Sequence, residues 1–186
     1  MEAPWRNDPA LHGRFHPEHA DDLQVIVHDG GPRMTKLPPE LMWVRVTGVR
    51  GPAYVGTVLN RPQGLTTISE GGEILFLCPP GGRHPFRTSE KYLAERQEWD
   101  IAACNKCGFG ELFDAPSDLA RRVFPDLPPG AAPEMMTAFC PLCGGVQALS
   151  RKGLEDGTGG DGTDALEPGI PTRERTAAKR WWQFWK

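Results

Sequence analysis

After Pro38 and Pro39 comes the clearest β region of the chain, opened by a stretch in which apolar and polar positions alternate with a period of two. In MWVRVTGV, Trp43, Arg45 and Thr47 fall on one face and Val44, Val46 and Gly48 on the other, the spacing of a half-buried strand. GPAYVGTVLNRP follows after the turn Arg50-Gly51-Pro52, and EILFLCPP is closed by prolines that cannot continue a ladder. LQVIVHDG, from Leu23 to Gly30, reads as an earlier strand ending in a turn. Short strands separated by glycine turns predict a small curled antiparallel sheet or barrel.

The period changes twice to that of a helix. SEKYLAERQEW places Tyr92, Leu93 and Arg96 on one helical face, with Thr88 or Ser89 available as the cap. FDAPSDLARRVFPD reads as a compact helix in which Leu119 and Val123 share a face, Asp114 or Ser117 caps the start, Pro116 suits the first turn and Pro125 ends it. TAFC then reads as a strand. After Ser150 apolar residues thin out and Gly, Asp and Thr dominate. Such a segment buries too little surface to offset its ordering entropy, which predicts a disordered tether.

The chemistry is concentrated in the cysteines. Cys104 and Cys107 form one C-x-x-C, Cys140 and Cys143 a second, and each pair is followed by a glycine, Gly108 and Gly144. A positive φ at that glycine lets backbone N–H groups turn toward the sulfurs. Two such knuckles supply four soft ligands for one tetrahedral zinc. Thirty-two residues separate Cys107 from Cys140, more than the usual 15–20. Doubling a loop costs only about 0.6 kcal/mol, against roughly 10–16 kcal/mol from a structural zinc. The insert is therefore no obstacle to a zinc ribbon. Four thiolates leave no open coordination position, so the ion is expected to be structural. Buried or disulfide-bonded cysteines are the competing reading. Cys78, in an apolar strand, reads as a buried inert thiol.

Composition sharpens this picture. The chain has 186 residues with 22 Gly and 19 Pro, which favours turns and short strands over long helices. Its N-terminus lacks the basic and apolar regions of a secretory signal, and its longest apolar run, Ile74–Cys78, is too short to span a bilayer. With an odd cysteine, a thiolate site fits the reducing cytoplasm. Net charge is −3. Between Ile101 and Ser150, Lys106, Arg121 and Arg122 face Glu111, Asp114, Asp118, Asp126 and Glu134, which lacks the basic face that phosphate binding needs. No G-x-S-x-G, P-loop, dinucleotide fingerprint or H-E-x-x-H occurs, so neither a catalytic residue nor a small-molecule substrate is inferred. His12, His16 and His19 stand at helical spacings and read as solvated surface histidines rather than a metal face.

The residues WVRV, the GT-x-LN-x-P of Gly56, Thr57, Leu59, Asn60 and Pro62, and the Gly-Gly-Glu-Ile that precedes the next strand lie within residues 40–80. This stretch, about a fifth of the chain, resembles the YegJ-like bacterial domain of unknown function. The resemblance implies a small bacterial domain without an assigned activity and, as for some relatives, an immunity-type role in toxin systems. It supplies no catalytic residues.

The expected organisation is α+β, mostly β. A polar N-terminal segment with a first strand occupies residues 1–36, a small β domain 37–100, a zinc ribbon with a helical insert 101–150, a flexible linker 151–178 and an aromatic tail 179–186. In the tail, AAKRWWQFWK, one helical turn would gather Trp181, Trp182 and Trp185 beside Phe184, flanked by Lys179, Arg180 and Lys186. Tryptophan anchors protein interfaces and also sits at membrane surfaces. Eight residues bury too little to hold a membrane alone, so docking to a partner protein is preferred to a lipid surface. Asn60 and Arg61, in a turn, are the other exposed candidates for partner binding. The expected function is a non-enzymatic, cytoplasmic, zinc-containing protein-binding module. The alternatives are a nucleic-acid-associated zinc ribbon and an enzyme whose site has no recognised motif.

Overall fold

The computed structural model describes residues 3–79, 84–128 and 130–153. The tether and the tail, with Trp181, Trp182, Phe184 and Trp185, lie outside the described residues apart from positions 151–153.

Among the described residues, nine strands and two helices follow one another after a short 3-10 turn at Pro4–Asn7. The strands are β1 (Phe15–His16), β2 (His19–Val27), β3 (Glu40–Arg50), β4 (Ala53–Val58), β5 (Glu73–Leu77), β6 (Phe86–Thr88), β7 (Trp99–Ile101), β8 (Met135–Phe139) and β9 (Val146–Arg151). The helices are α1 (Glu90–Arg96) and α2 (Pro116–Val123). The fold is mostly β, as the alternation indicates.

Strands β1 to β6 make one curled sheet in sequence order, antiparallel from neighbour to neighbour. A parallel contact between β2 and β6, Ile26 opposite Phe86, curls strands β2 to β6 into a small barrel. The contact leaves the two-residue β1 as a short edge beside β2, and so short an edge offers little template for aggregation. The interior is the apolar set read from the period-two pattern. Val44 and Val46 are buried with Met42, while Trp43 is half-buried and Arg45 and Thr47 are exposed. Leu23, Val25, Val27, Tyr54, Val58, Ile74 and Phe76 complete the core, closed by Leu11 and Leu65. Gly56 has a packing role in the wall. A Cβ there would stand 2.4 Å from Val44 Cγ1 and 2.9 Å from the Arg45 carbonyl oxygen.

The first strand differs from its expected bounds. The strand expected from Leu23 is β2, which begins at His19 and ends at Val27, and beyond it His28 and Gly31 contact Phe113 and Asp114. His12, His16 and His19 do not lie on a helix. His16 and His19 face each other across the β1–β2 hairpin.

The second sheet, in the order β7-β9-β8, is antiparallel throughout. A separate core of Tyr92, Trp99, Leu112, Leu119, Ala120, Met136, Ala138 and Leu149 fills the space between it and the helices. Ser89 caps α1, its hydroxyl oxygen accepting from Tyr92 N–H at 3.1 Å. The expected cap of α2 is corrected. Ala115 occupies that position and makes no side-chain cap. Glu95 of α1 instead accepts from Ser117 N–H at 2.8 Å and Ser117 O–H at 2.7 Å, so the cap comes from the neighbouring helix. A carboxylate at a helix start also suits its dipole.

Asp114 is committed elsewhere. Its carboxylate accepts from Gly31 N–H at 2.8 Å and ties the insert to the barrel. Around that bond, His28 stacks on Phe113, and Phe86 of β6 packs against Phe109 and Phe113 at 5.4 and 5.9 Å between centroids.

Candidate metal centre

The four cysteines come from two loops of the second sheet. The first pair follows β7 and the second forms the β8–β9 turn, and the two loops share one backbone pattern. Gly108 N–H donates to the Cys104 carbonyl at 3.0 Å, and Cys104 N–H donates to the Phe109 carbonyl at 2.8 Å. In the second loop Gly144 N–H donates to the Cys140 carbonyl at 2.9 Å, and Cys140 N–H donates to the Gly145 carbonyl at 2.6 Å. Both turns need the positive φ found at Gly108 (76°) and Gly144 (69°).

The knuckles are stitched together by Asn105. Its backbone N–H donates to the Val146 carbonyl at 3.1 Å, and its side-chain oxygen accepts from Val146 N–H at 2.9 Å. Gly145 makes this approach sterically feasible, because a Cβ there would lie 2.5 Å from Cys104 Sγ. Buried Gln147 secures the chain leaving the first knuckle, donating from Nε2 to the carbonyls of Phe109 (2.9 Å) and Glu111 (3.2 Å).

All four sulfurs lie within 4.8 Å of one another, and Cys104–Cys143 and Cys107–Cys140 are each separated by 3.5 Å. A disulfide requires about 2.05 Å. A tetrahedral ion with metal–sulfur bonds of about 2.3 Å sets its ligands about 3.8 Å apart. The cluster therefore fits a four-coordinate metal and not a pair of disulfides. Cys104 and Cys140 are buried, and Cys107 and Cys143 are exposed. Burial raises the Cys104 thiol, but N–H groups from Cys107 and Lys106 outweigh it and bring the pKa down to about 6. Burial pushes the Cys140 thiol up, so these sulfurs do not all ionise readily without a cation among them.

No protein-family model, curated protein or solved structure matches the chain. Its own geometry is therefore the guide to what the site does.

The other residues singled out in the sequence are not drawn to this cluster. Asn60 serves the barrel wall. Its side-chain oxygen accepts from Trp43 N–H at 2.8 Å, and its amide contacts Met42 Sδ at 3.7 Å. Arg61 is exposed and lines an open hollow of about 370 Å³ with Pro62, Gln63, Leu65, Ile68 and Glu70. Glu40 holds the same loop, accepting from the N–H groups of Gln63, Gly64 and Leu65. Cys78 is half-buried, with its thiol 2.9 Å from the Ala10 carbonyl, and burial pushes its pKa up. No helix among the described residues is long and apolar enough to cross a membrane.

Asn105, Gly145 and Gln147 support the cluster but were not singled out in the sequence. The Gly144-Gly145 pair carried a signal, since one glycine serves the turn and the second makes room. Gln147 gave none, because a polar residue in a strand ordinarily points to solvent.

Proposed function

We propose that the chain is a non-enzymatic protein-binding module whose second sheet is held by one structural zinc ion. Cys104, Cys107, Cys140 and Cys143 would hold it as thiolates. Zinc suits an all-sulfur tetrahedral set, and four protein ligands leave no position at which to activate water. The metal's contribution is to folding, by closing the loop that carries α2.

The observation that carries the binding role is the outer face of β8 and β9. Phe139 and Val146 are paired across the strands, and with Leu142 in the knuckle they are 43%, 42% and 41% exposed. Met135, on the same face of β8, is 69% exposed. Thr137 separates Met135 from Phe139, and Arg33 lies over the Phe139 ring at 4.6 Å, so the face is an apolar cluster at the knuckle with a polar border, which suits a protein partner. The aromatic tail, Trp181, Trp182, Phe184 and Trp185, belongs to the same reading as a second contact. An immunity-type role, suggested by the resemblance of residues 40–80, would be one biological use of such a module. The acidic balance around the knuckles disfavours nucleic acid as the partner.

Metal analysis of the purified chain should give one zinc per molecule, lost in the Cys104→Ser and Cys140→Ser double variant. Zinc retained by that variant would refute the ligand set. For the binding role, a photocrosslinker at Val146 in living cells should give a discrete adduct that a crosslinker at Glu90 does not give. Absence of an adduct, or the same adducts from both positions, would rule out the apolar face as the docking surface. DNA and RNA at low salt should show no binding by anisotropy.

A further inference from the structure

We propose that His16, Glu18 and His19 form a second metal site, on the barrel surface, for a divalent transition ion of the zinc or nickel type. The three side chains each offer a ligand atom, and these atoms lie within 4.8 Å of one another. The grouping follows from the hairpin. His16 and His19 are register partners at the β1–β2 turn, so both side chains leave the same face, with Pro17 and Glu18 between them. Pro17 fixes its own φ, which stiffens the turn.

Glu18 N–H donates to His16 Nδ1 at 3.1 Å, so the neutral ring carries its proton on Nε2. An ion would displace this bond, taking Nδ1 itself as the ligand or taking Nε2 once the proton has moved to Nδ1. The His16 ring also rests edge-on against Trp43, with centroids 5.2 Å apart. The His19 ring lies 5.0 Å from that of His16. Nearby carboxylates are already engaged: Asp21 pairs with Arg6 at 2.7 Å and Asp22 with Arg45 at 2.8 Å. Glu18 and His19 are exposed, so drawing the three ligands onto an ion needs side-chain rotation and no backbone movement.

Two imidazoles and one carboxylate favour borderline ions such as Zn²⁺, Ni²⁺ and Co²⁺ over Ca²⁺ or Mg²⁺, which prefer oxygen. Three protein ligands on one hairpin also leave coordination positions open to water or to an external group. The two sites therefore differ in kind. The cysteine set is closed and soft, whereas the hairpin set is open and harder, and it fills only after the thiolates.

The test uses the tag-free, zinc-loaded full chain titrated with Ni²⁺ by calorimetry, with zinc release and tryptophan fluorescence followed in parallel. One equivalent of Ni²⁺ should bind without displacing zinc and should quench fluorescence, since Trp43 touches His16. His19→Ala, an exposed change that leaves the core intact, should abolish this binding. His16→Ala should do the same, and Glu18→Gln should weaken it. The proposal is overturned if wild-type chain binds no Ni²⁺, if uptake releases an equal amount of zinc, or if His19→Ala binds as wild type does.

Discussion

The imidazole of His28 lies face to face on the ring of Phe113, with centroids 3.7 Å apart and planes 3° from parallel. One ring belongs to the barrel and the other to the insert between the cysteine pairs. His28 Nδ1 accepts from Gly30 N–H at 3.1 Å, so Nε2 carries the proton that is donated to the Arg87 carbonyl at 2.8 Å. Both nitrogens are satisfied by the neutral ring. Burial lowers its pKa to about 4 from the ordinary 6.5.

The sign of the resulting pH dependence is fixed. The unfolded chain takes up the His28 proton before the folded one does, so this stability is complete above pH 6.5 and is lost as pH falls toward 4. The shift corresponds to about 3 kcal/mol at most. NMR titration should find the His28 ring neutral at about pH 5, between the folded and unfolded values. A ring that titrates at the ordinary value would show that the stack is solvated.

Asp114 works in the opposite direction. Burial raises its carboxyl to about 6, partly offset by the Gly31 N–H. Stability from this group is present below its unfolded pKa and is lost as pH rises through 6. Asp114→Asn keeps an oxygen for Gly31 and should raise stability at neutral pH by about 1–2 kcal/mol in urea denaturation. Lower stability there would mean that the charge, and not merely an acceptor, holds the junction.

Leu119 is 5% exposed and packs in the core that contains Tyr92, Trp99, Met136 and Leu149. Leu119→Asp places an unpaired charge there and should cost about 3 kcal/mol or more. Calorimetry should show a lower melting temperature in the zinc-loaded chain. An unchanged melting temperature would mean that α2 is not part of this core.

Gly145→Ala tests the approach of the two knuckles. The added methyl meets Cys104 Sγ at 2.5 Å and Asn105 Oδ1 at 2.8 Å. Zinc should dissociate faster in a competition with a chromogenic chelator, while the far-UV spectrum of the loaded chain stays unchanged. Equal release rates would show that the loops relax without disturbing the sulfurs.

The barrel wall and the cysteine cluster were legible because each follows a local rule. Val44 and Val46 obey the strand period, and each C-x-x-C-G motif is a complete turn within five residues. What escaped was set by distant partners. Asp114 has the chemistry of a cap, yet Gly31, 83 positions away, takes its carboxylate, and Glu95 caps α2 in its place. The histidine spacing read as helical because three- and four-residue intervals also occur across a tight hairpin. The turn at Pro17 and Glu18 decides between them, and its register depends on β2 pairing with β3.

The strands and core of the barrel all lie upstream of Glu90, and every residue of the thiolate cluster lies downstream of it. During synthesis at about 5–20 residues per second, some 3–11 s pass between Thr88 and Cys143. The barrel can therefore close on the ribosome while the ribbon is still being made. Cys104 and Cys107 emerge first and wait as a half-set of ligands beside a finished surface. His28 and Gly31 are already in place on that surface to receive Phe113 and Asp114. With the zinc proposed above, metal capture would come last, and the supply of the ion, not the folding of the barrel, would set when the fold is complete.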